Sequence, residues 1–266
     1  MNIIKKIVLM PFVAFNQNLA IKYYTVKTQK ITEPLCIVHL SDLHNVRYGP
    51  HQSVLIEAID EQKPDLVCLT GDMADELMPH KSSEELLLDV SHKYPTYFVS
   101  GNHEMRMLKV DELKTKFKGY GIHVLEGQHT IFKKNEQTLY ISGIDDPLKI
   151  QNYREQLKAS AEGLTKENFN LLLVHRPEFI KDYQRYPFDL ILCGHTHGGQ
   201  WRVPGYINGV YCSNQGLFPE YGGGRYDFPK NSMIINRGLA KNHRLVPRIF
   251  NRPELVVIHL EPENRK

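Results

Sequence analysis

The stretch Asp189-Leu190-Ile191-Leu192-Cys193-Gly194-His195-Thr196-His197-Gly198-Gly199-Gln200 decides how this 266-residue chain is read. An apolar run, Leu190 to Cys193, stops at a glycine; two histidines one residue apart follow, then two more glycines. The run is too short for a helix of ordinary length and reads as a buried strand. Glycine at its end lets the backbone turn sharply and lets a ligand approach the main chain. Open α/β sheets place their ligands at such turns, beyond the strand ends. Neutral imidazole is also the commonest metal ligand among side chains. Taken alone, the segment is equally a loop with two solvated histidines. The rest of the chain has to decide.

Four other apolar runs end in the same manner. Residues 35–40 lead into Ser41-Asp42-Leu43-His44, and 65–70 into Gly71-Asp72. Residues 95–100 lead into Gly101-Asn102-His103-Glu104, and 169–174 into His175. Such near-continuous apolar runs are expected of strands covered on both faces. Between them, residues 52–62 place Val54, Leu55, Ala58 and Ile59 on one helical face. Ser82-Ser83-Glu84-Glu85 has capping-box spacing before Leu86, Leu87, Leu88 and Val90. Further helices are expected at 109–118 and 151–162, and after Pro177. Residues 129–134 and 138–143, around Asn135-Glu136, read as an antiparallel hairpin. An early strand at 21–28, a glycine-rich loop over 205–226 and strands at 233–236 and 255–260 complete the pattern. Strands alternating with helices make this one α/β domain over 18–266, with extra antiparallel strands near its end.

The net charge of +3 is close to neutral for this length, so no nucleic-acid binding is expected. Cys36, Cys68, Cys193 and Cys212 show no Cys-x-x-Cys spacing, and three lie in apolar strand-like runs. Core packing is expected of them rather than a disulfide framework. Residues 1–17 form a short apolar segment in which Lys5 and Lys6 precede Ile7-Val8-Leu9-Met10-Pro11-Phe12-Val13-Ala14-Phe15. It is too short to span a bilayer, which takes about 20 residues, and no small-x-small cleavage site follows. Association with a membrane surface is the reading favoured, with a cytoplasmic chain as the alternative.

Five of the thirteen histidines fall at these strand ends, and the others share no such placement. Successive strand ends of a parallel sheet gather along one edge. Two carboxylates, four imidazoles and one amide oxygen suffice for two divalent ions that share a carboxylate. A nitrogen and oxygen set without thiolate suits Mn²⁺ first, with Fe or Zn²⁺ as alternatives, better than Ca²⁺. Two carboxylates leave two such ions net positive, which favours an anionic phosphate ester. Paired ions about 3.5–4 Å apart clamp the attacking and leaving oxygens of phosphoryl hydrolysis. The residues alone therefore point to a two-metal hydrolase of phosphoesters.

Asp42-x-His44, Gly71-Asp72-x-x-Asp75, Gly101-Asn102-His103-Glu104, His175 and Gly194-His195-x-His197 stand in the order found in the calcineurin-like metallophosphoesterases. The chain is similar to a membrane-associated bacterial branch of that superfamily. His175-Arg176-Pro177-Glu178, Gly198-Gly199-Gln200 and Asn251-Arg252-Pro253-Glu254-Leu255 carry that closer likeness. The resemblance implies a four-layer α/β/β/α sandwich with a di-metal site at the C-terminal ends of the strands. It implies one metal held by Asp42, His44, His197 and a bridging Asp72, and the other by Asp72, Asn102, His175 and His195. A metal-bridging hydroxide would then attack phosphorus in line. His103 would be the histidine that protonates the leaving oxygen, with Asp75 orienting it.

By the same resemblance the substrate is a phosphodiester or pyrophosphate, nucleotide- or lipid-linked. UDP-2,3-diacylglucosamine hydrolysis is one alternative, and a non-catalytic scaffold on the same fold is another. Asn45 and Arg176, which flank the motifs, are candidates to contact substrate. Arg47 and Arg202 share that position, with surface hydrogen bonding the plainer expectation for each. His39, inside its strand, is expected to be a packed core residue.

Overall fold

The computed structural model describes residues 12–147, 153–241 and 246–263. Most of the apolar N-terminal run, and Gln151 and Asn152 at the start of the expected 151–162 helix, lie outside these residues.

Two six-stranded sheets form the middle of the molecule. The first holds β1 (Ala20–Thr28), β2 (Leu35–Leu40), β3 (Leu66–Thr70), β4 (Thr96–Val99), β5 (His123–Val124) and β14 (Glu254–Pro262), in the order β1-β14-β2-β3-β4-β5. The second holds β6 (Gln128–Lys134), β7 (Gln137–Gly143), β8 (Phe169–Leu173), β9 (Leu190–Cys193), β12 (Gly224–Asp227) and β13 (Ser232–Ile235), in the order β12-β13-β9-β8-β7-β6. Strands β2 to β5 run parallel, as do β7, β8, β9 and β13. The pair β6 and β7 is the expected antiparallel hairpin.

Alternation of side chains along each strand builds three cores. Ile37, Cys68, Val99 and Ile258 of the first sheet meet Ile141, Leu171, Leu192 and Ile234 of the second in the space between the sheets. The opposite face of the first sheet, through Val38, Leu69 and Phe98, packs on helices α1 (Ser53–Asp60), α2 (Lys81–Lys93) and α3 (Val110–Gly119). The outer face of the second, through Leu172, Ile191 and Ile235, packs on α4 (Tyr153–Ser160) and α5 (Ile180–Tyr183). Every central strand is thus covered on both sides, which is why the runs read as continuously apolar. The result is the four-layer α/β/β/α sandwich. All four cysteines are free thiols, with Cys68 and Cys193 inside the cores.

Two local readings need correction. The capping-box serines do not cap α2: its N-cap is His80, without a side-chain bond. Instead the Ser82 hydroxyl donates to the Asn45 carbonyl, and the Ser83 hydroxyl lies 2.6 Å from Asn45 Oδ1 and 2.5 Å from the Met73 carbonyl. The helix start is spent on tethering the loops after β2 and β3. The 205–226 stretch is also not all loop, since β10 (Tyr211–Cys212) pairs with β11 (Gly216–Leu217), and Gly224 opens β12.

Candidate metal centre

The ligand-bearing turns come from both sheets rather than one edge. Those after β2, β3 and β4 belong to the first sheet, those after β8 and β9 to the second, and the sandwich brings them together. Contact between turns is close. The Asp42 N–H donates to the Gly71 carbonyl at 3.0 Å, the His44 N–H to Asp72 O at 3.0 Å, and the Gly194 N–H to His175 O at 3.0 Å. A Cβ on Gly101 would collide with the Asp72 carboxylate, so only glycine lets the third turn approach the second this closely.

The backbone is bent to aim these residues. Asp42, His44, Asp72, His195 and His197 all have φ between 48° and 73°, a region that costs a residue with a side chain on the order of 1–3 kcal/mol. Five of the seven expected ligands therefore sit in strained backbone. Interlocking hydrogen bonds hold them there. Both Asp42 carboxylate oxygens accept from the His195 N–H, at 3.1 and 3.0 Å, and Asp72 Oδ1 accepts from the His103 N–H at 2.8 Å.

Two buried groups of ligand atoms stand side by side, Asp42 with His44 and His197, and Asp72 with His175 and His195; within each, the atoms lie within 4.8 Å of one another. His175 Nε2 is 3.2 Å from Asp72 Oδ2, and His197 Nε2 is 3.6 Å from Asp42 Oδ1. His44 Nε2, 3.7 Å from Asp72 Oδ2, connects the groups. His195 Nδ1 approaches His175 Nε2 to 3.1 Å, and the Asn102 amide lies 2.9 Å from His195 Nδ1. Turned one way, that amide donates to the ring. Turned the other, its oxygen faces the ring nitrogen and can join the imidazoles on a shared cation. Imidazole, carboxylate and amide groups pointed at shared centres fit divalent metals, and Asn102 belongs with the second group.

Electrostatics follow from burial. Burial pushes the Asp42 carboxyl up, aided by Asp72. It pushes Asp72 the same way, but His175, His44 and His103 outweigh it and hold that carboxyl well below its ordinary range. Burial, with His175 and Arg176 close by, drives the His195 imidazole well down, into the neutral form that ligates.

Beyond the two groups, His103 opens onto a cleft of about 360 Å³ lined in part by Asp72, Asn102, Arg106, Tyr211 and Asn214. Its Nδ1 lies 3.2 Å from Asp75 Oδ2 but only 2.5 Å from Glu76 Oε2. Asp75 is shared, since the same Oδ2 is 3.2 Å from His44 Nδ1. Arg106 Nη1 stands 3.4 Å from His103 Nε2. Neither expected substrate contact lines this cleft. Asn45 commits its amide to Ser83 Oγ and to the Asp75 and Met78 carbonyls. Buried Arg176 lies 2.5 Å from Asp146 Oδ2, 3.4 Å from Glu178 Oε1 and 3.3 Å from His195 Nε2, behind the site. Arg47 lies 3.8 Å from Glu85, at the surface.

Several further residues hold these turns in place. The fully buried Glu104 carboxylate accepts from the Gly101, Asp72 and Ala74 N–H groups at 2.9, 2.8 and 2.9 Å. Asn251 donates to the carbonyls of His197 and Gln200, and buried Arg248 lies 3.3 Å from His197 Nδ1. Glu104 and Asn251 stand within quoted motifs, so their sequence context was a signal. Glu76 and Arg248 had none.

The calcineurin-like phosphoesterase family signature matches residues 36–199, which span all five ligand turns. The chain is 30% identical over 250 residues to the uncharacterized metallophosphoesterase YkuE of Bacillus subtilis, covering 86% of this chain and 79% of that one. It is 30% identical over 237 residues to the phosphodiesterase YaeI of Escherichia coli, covering 85% and 82%. Among solved structures, a putative 5'-nucleotidase from Staphylococcus aureus superposes with a TM-score of 0.52 at 12% identity, over 88% of this chain and 55% of that chain. The NAD nucleotidase of Haemophilus influenzae gives 0.51 at 17% identity, over 78% and 46%. The chain spans about half the length of these two proteins, and at such identities they show the shared fold alone. Signature, relatives and buried His and Asp groups agree: the chain belongs to the calcineurin-like phosphoesterase family, as a metal-dependent hydrolase of phosphoester bonds.

Proposed function

We propose that the chain hydrolyses a phosphodiester or pyrophosphate bond with two divalent metal ions, Mn²⁺ ahead of Fe or Zn²⁺. The observation that carries this is the adjacency of the two buried groups, with Asp72 within reach of both. Asp42, His44 and His197 hold one ion; His175, His195 and Asn102 hold the other; Asp72 is common to them. When bound, such ions neutralise phosphate charge and stabilise the oxygens that enter and leave phosphorus. The remaining work falls to the cleft. His103, with Nδ1 held by Glu76 and Asp75, carries on Nε2 the proton that the leaving oxygen takes. Among the described lining residues Arg106, 3.8 Å from Glu76 Oε1, is the cation that can meet a phosphoryl oxygen. Asn45 and Arg176 position the loops and His195 rather than touch substrate.

The test is hydrolysis of bis(4-nitrophenyl) phosphate by Mn²⁺-loaded protein, with metal content measured in parallel. Asp72→Asn abolishes turnover and metal loading, whereas His103→Ala lowers kcat by roughly 10²-fold with metal retained. Full metal occupancy without cleavage of any phosphodiester or pyrophosphate would return the chain to the scaffold reading.

A lipid-linked substrate, of the UDP-2,3-diacylglucosamine kind, is favoured by one feature. Tyr211 and Val246 in the cleft wall are partly exposed, and Leu217 and Phe218 stand exposed on the neighbouring turn. Phe12, Val13 and Phe15 are exposed too, which supports peripheral membrane contact. Among the described residues no helix is long and apolar enough to cross a membrane. A markedly higher kcat/KM for a lipid-linked sugar nucleotide than for its soluble head alone separates this reading from a soluble diester.

A further inference from the structure

A second cleft, of about 500 Å³, shares no lining residue with the metal centre and lies behind the turn that carries His197. A Cβ on Gly223, in its wall, would stand 3.6 Å from Gly198 Cα in that turn. Cations dominate it. Lys22 comes from β1, Arg202 from the segment after the His197 turn, Arg225 from β12 and Arg237 from the segment after β13.

Two of these are neutralised. Arg237 places Nε 2.6 Å and Nη2 2.5 Å from Glu254 Oε2. Arg225 places Nε 2.7 Å from Asp227 Oδ1 and donates Nη1 to the Thr25 carbonyl at 2.5 Å. The other two have no carboxylate within ion-pair distance among the described residues. Lys22 lies over the Tyr24 ring at 5.5 Å, and Arg202 Nη2 donates to the amide oxygen of Asn208. Asn208 is itself fixed, donating to the Gly223 carbonyl at 2.8 Å. Burial, and next the charge of Arg237, lower the Arg202 pKa from its ordinary value. The cleft thus holds a pre-oriented guanidinium and an ammonium with no ion-pair partner of their own among the described residues, beside a Glu254 carboxylate already taken by Arg237, in a concave place.

We propose that this cleft is a second anion site, which takes a phosphate-bearing group on Arg202 and Lys22 apart from the catalytic cleft. A planar guanidinium fork matches the oxygens of a phosphate, and two cations without ion-pair partners of their own match its dianion. The phosphate is either the free ion or that of a lipid headgroup. The site does not depend on which ester the metal centre cleaves.

The test titrates inorganic phosphate into Zn²⁺-loaded full-length chain at constant ionic strength, following the Gly223 and Gly224 amide resonances. Saturable shifts are expected, weakened about tenfold by Arg202→Gln. Lys22→Gln, an exposed change that spares the Asn208 contact, weakens them in the same sense. Shifts at Asn102 and His103, which report phosphate in the catalytic cleft, stay as in wild type, so failure here is separable from failure of the catalytic reading. Co-sedimentation with phosphatidylglycerol and phosphatidylcholine vesicles identifies the source. Pelleting with the anionic vesicles that Arg202→Gln abolishes assigns a headgroup. Saturable phosphate binding without such pelleting assigns the free ion. Linear shifts at Gly223 and Gly224, or shifts unchanged in both variants, overturn the proposal.

Discussion

Glu76 Oε2 lies 2.5 Å from Nδ1 of His103, closer than Asp75, whose Oδ2 is 3.2 Å from that nitrogen and 3.2 Å from Nδ1 of His44. Adjacent carboxylates thus divide two tasks: one holds the cleft histidine, the other spans it and a ligand histidine. Glu76→Gln should lower kcat on the order of tenfold with metal content unchanged, since it weakens the partner of a proton-carrying imidazole and of Arg106 but touches no metal-binding group. Asp75→Asn should instead weaken Mn²⁺ binding by about 10- to 100-fold, because an outer carboxylate orients a ligating imidazole. Steady-state kinetics with calorimetric metal titration read both. Equal metal affinity in the two variants would contradict the division.

Glu104 is the hub of the second and third ligand turns. Its carboxylate accepts three backbone N–H groups, and a glutamine amide in its place must point a donor at one or two of them. Leaving such buried groups unmatched costs about 1–3 kcal/mol each. Glu104→Gln should therefore lower the urea midpoint of the metal-free chain and also weaken metal binding, since Asp72 is positioned through it. A midpoint unchanged from wild type would show that these bonds contribute nothing.

The strand ends could be read from sequence because apolar runs that stop at Asp, Asn or His are local patterns. Both faces of each strand are covered, so continuous hydrophobicity from 35 to 40 or 190 to 193 carried the message. That the turns converge from two sheets is a property of the sandwich, and no single run encodes it. Nor does any local pattern encode positive φ at Asp42, His44, Asp72, His195 and His197, where tertiary hydrogen bonds override the ordinary preference of these residues. Asn45 and Arg176 looked like substrate contacts because they flank ligands, yet flanking residues on strained turns are needed to hold them. Ser82 and Ser83 misled for the same reason: their hydroxyls serve another loop rather than their own helix.

His39 makes a stability prediction away from the metal. It is fully buried in β2 with Nε2 2.8 Å from Thr70 Oγ1, and burial pushes its pKa down to about 3. An unfolded chain takes up a proton at this residue below about 6.5, and the folded one does not. The stabilising contribution is complete above that pH and declines by about 1.4 kcal/mol per unit as pH falls toward 3. The stability gap between wild type and His39→Gln should therefore shrink by roughly 2 kcal/mol from pH 7 to pH 5, measured by urea unfolding of metal-free protein. The remaining histidines titrate alike in both proteins and cancel. A gap independent of pH would mean that His39 is protonated in the fold.

Gly194, which follows β9 in the stretch that carries His195 and His197, should not accept a side chain. Its φ is not in the left-handed region, so alanine meets no backbone objection there. The objection is contact: a Cβ would run into Ser41 Oγ and stand 2.5 Å from Asp42 Oδ2. Asp42 cannot retreat without giving up its bonds from the His195 N–H, so the substitution displaces a ligand of one metal and leaves the other group in place. Overpacking of this kind costs about 1–3 kcal/mol. Gly194→Ala should bind about one Mn²⁺ where wild type binds two, and gain less in Tm on adding metal, because a ligand stabilises only the state that binds it. Gly119→Ala, where a Cβ meets nothing within 4 Å, is the control and should match wild type in both. Two ions retained in Gly194→Ala would show that the first group tolerates movement of Asp42, and that closeness of the turns does not set its geometry.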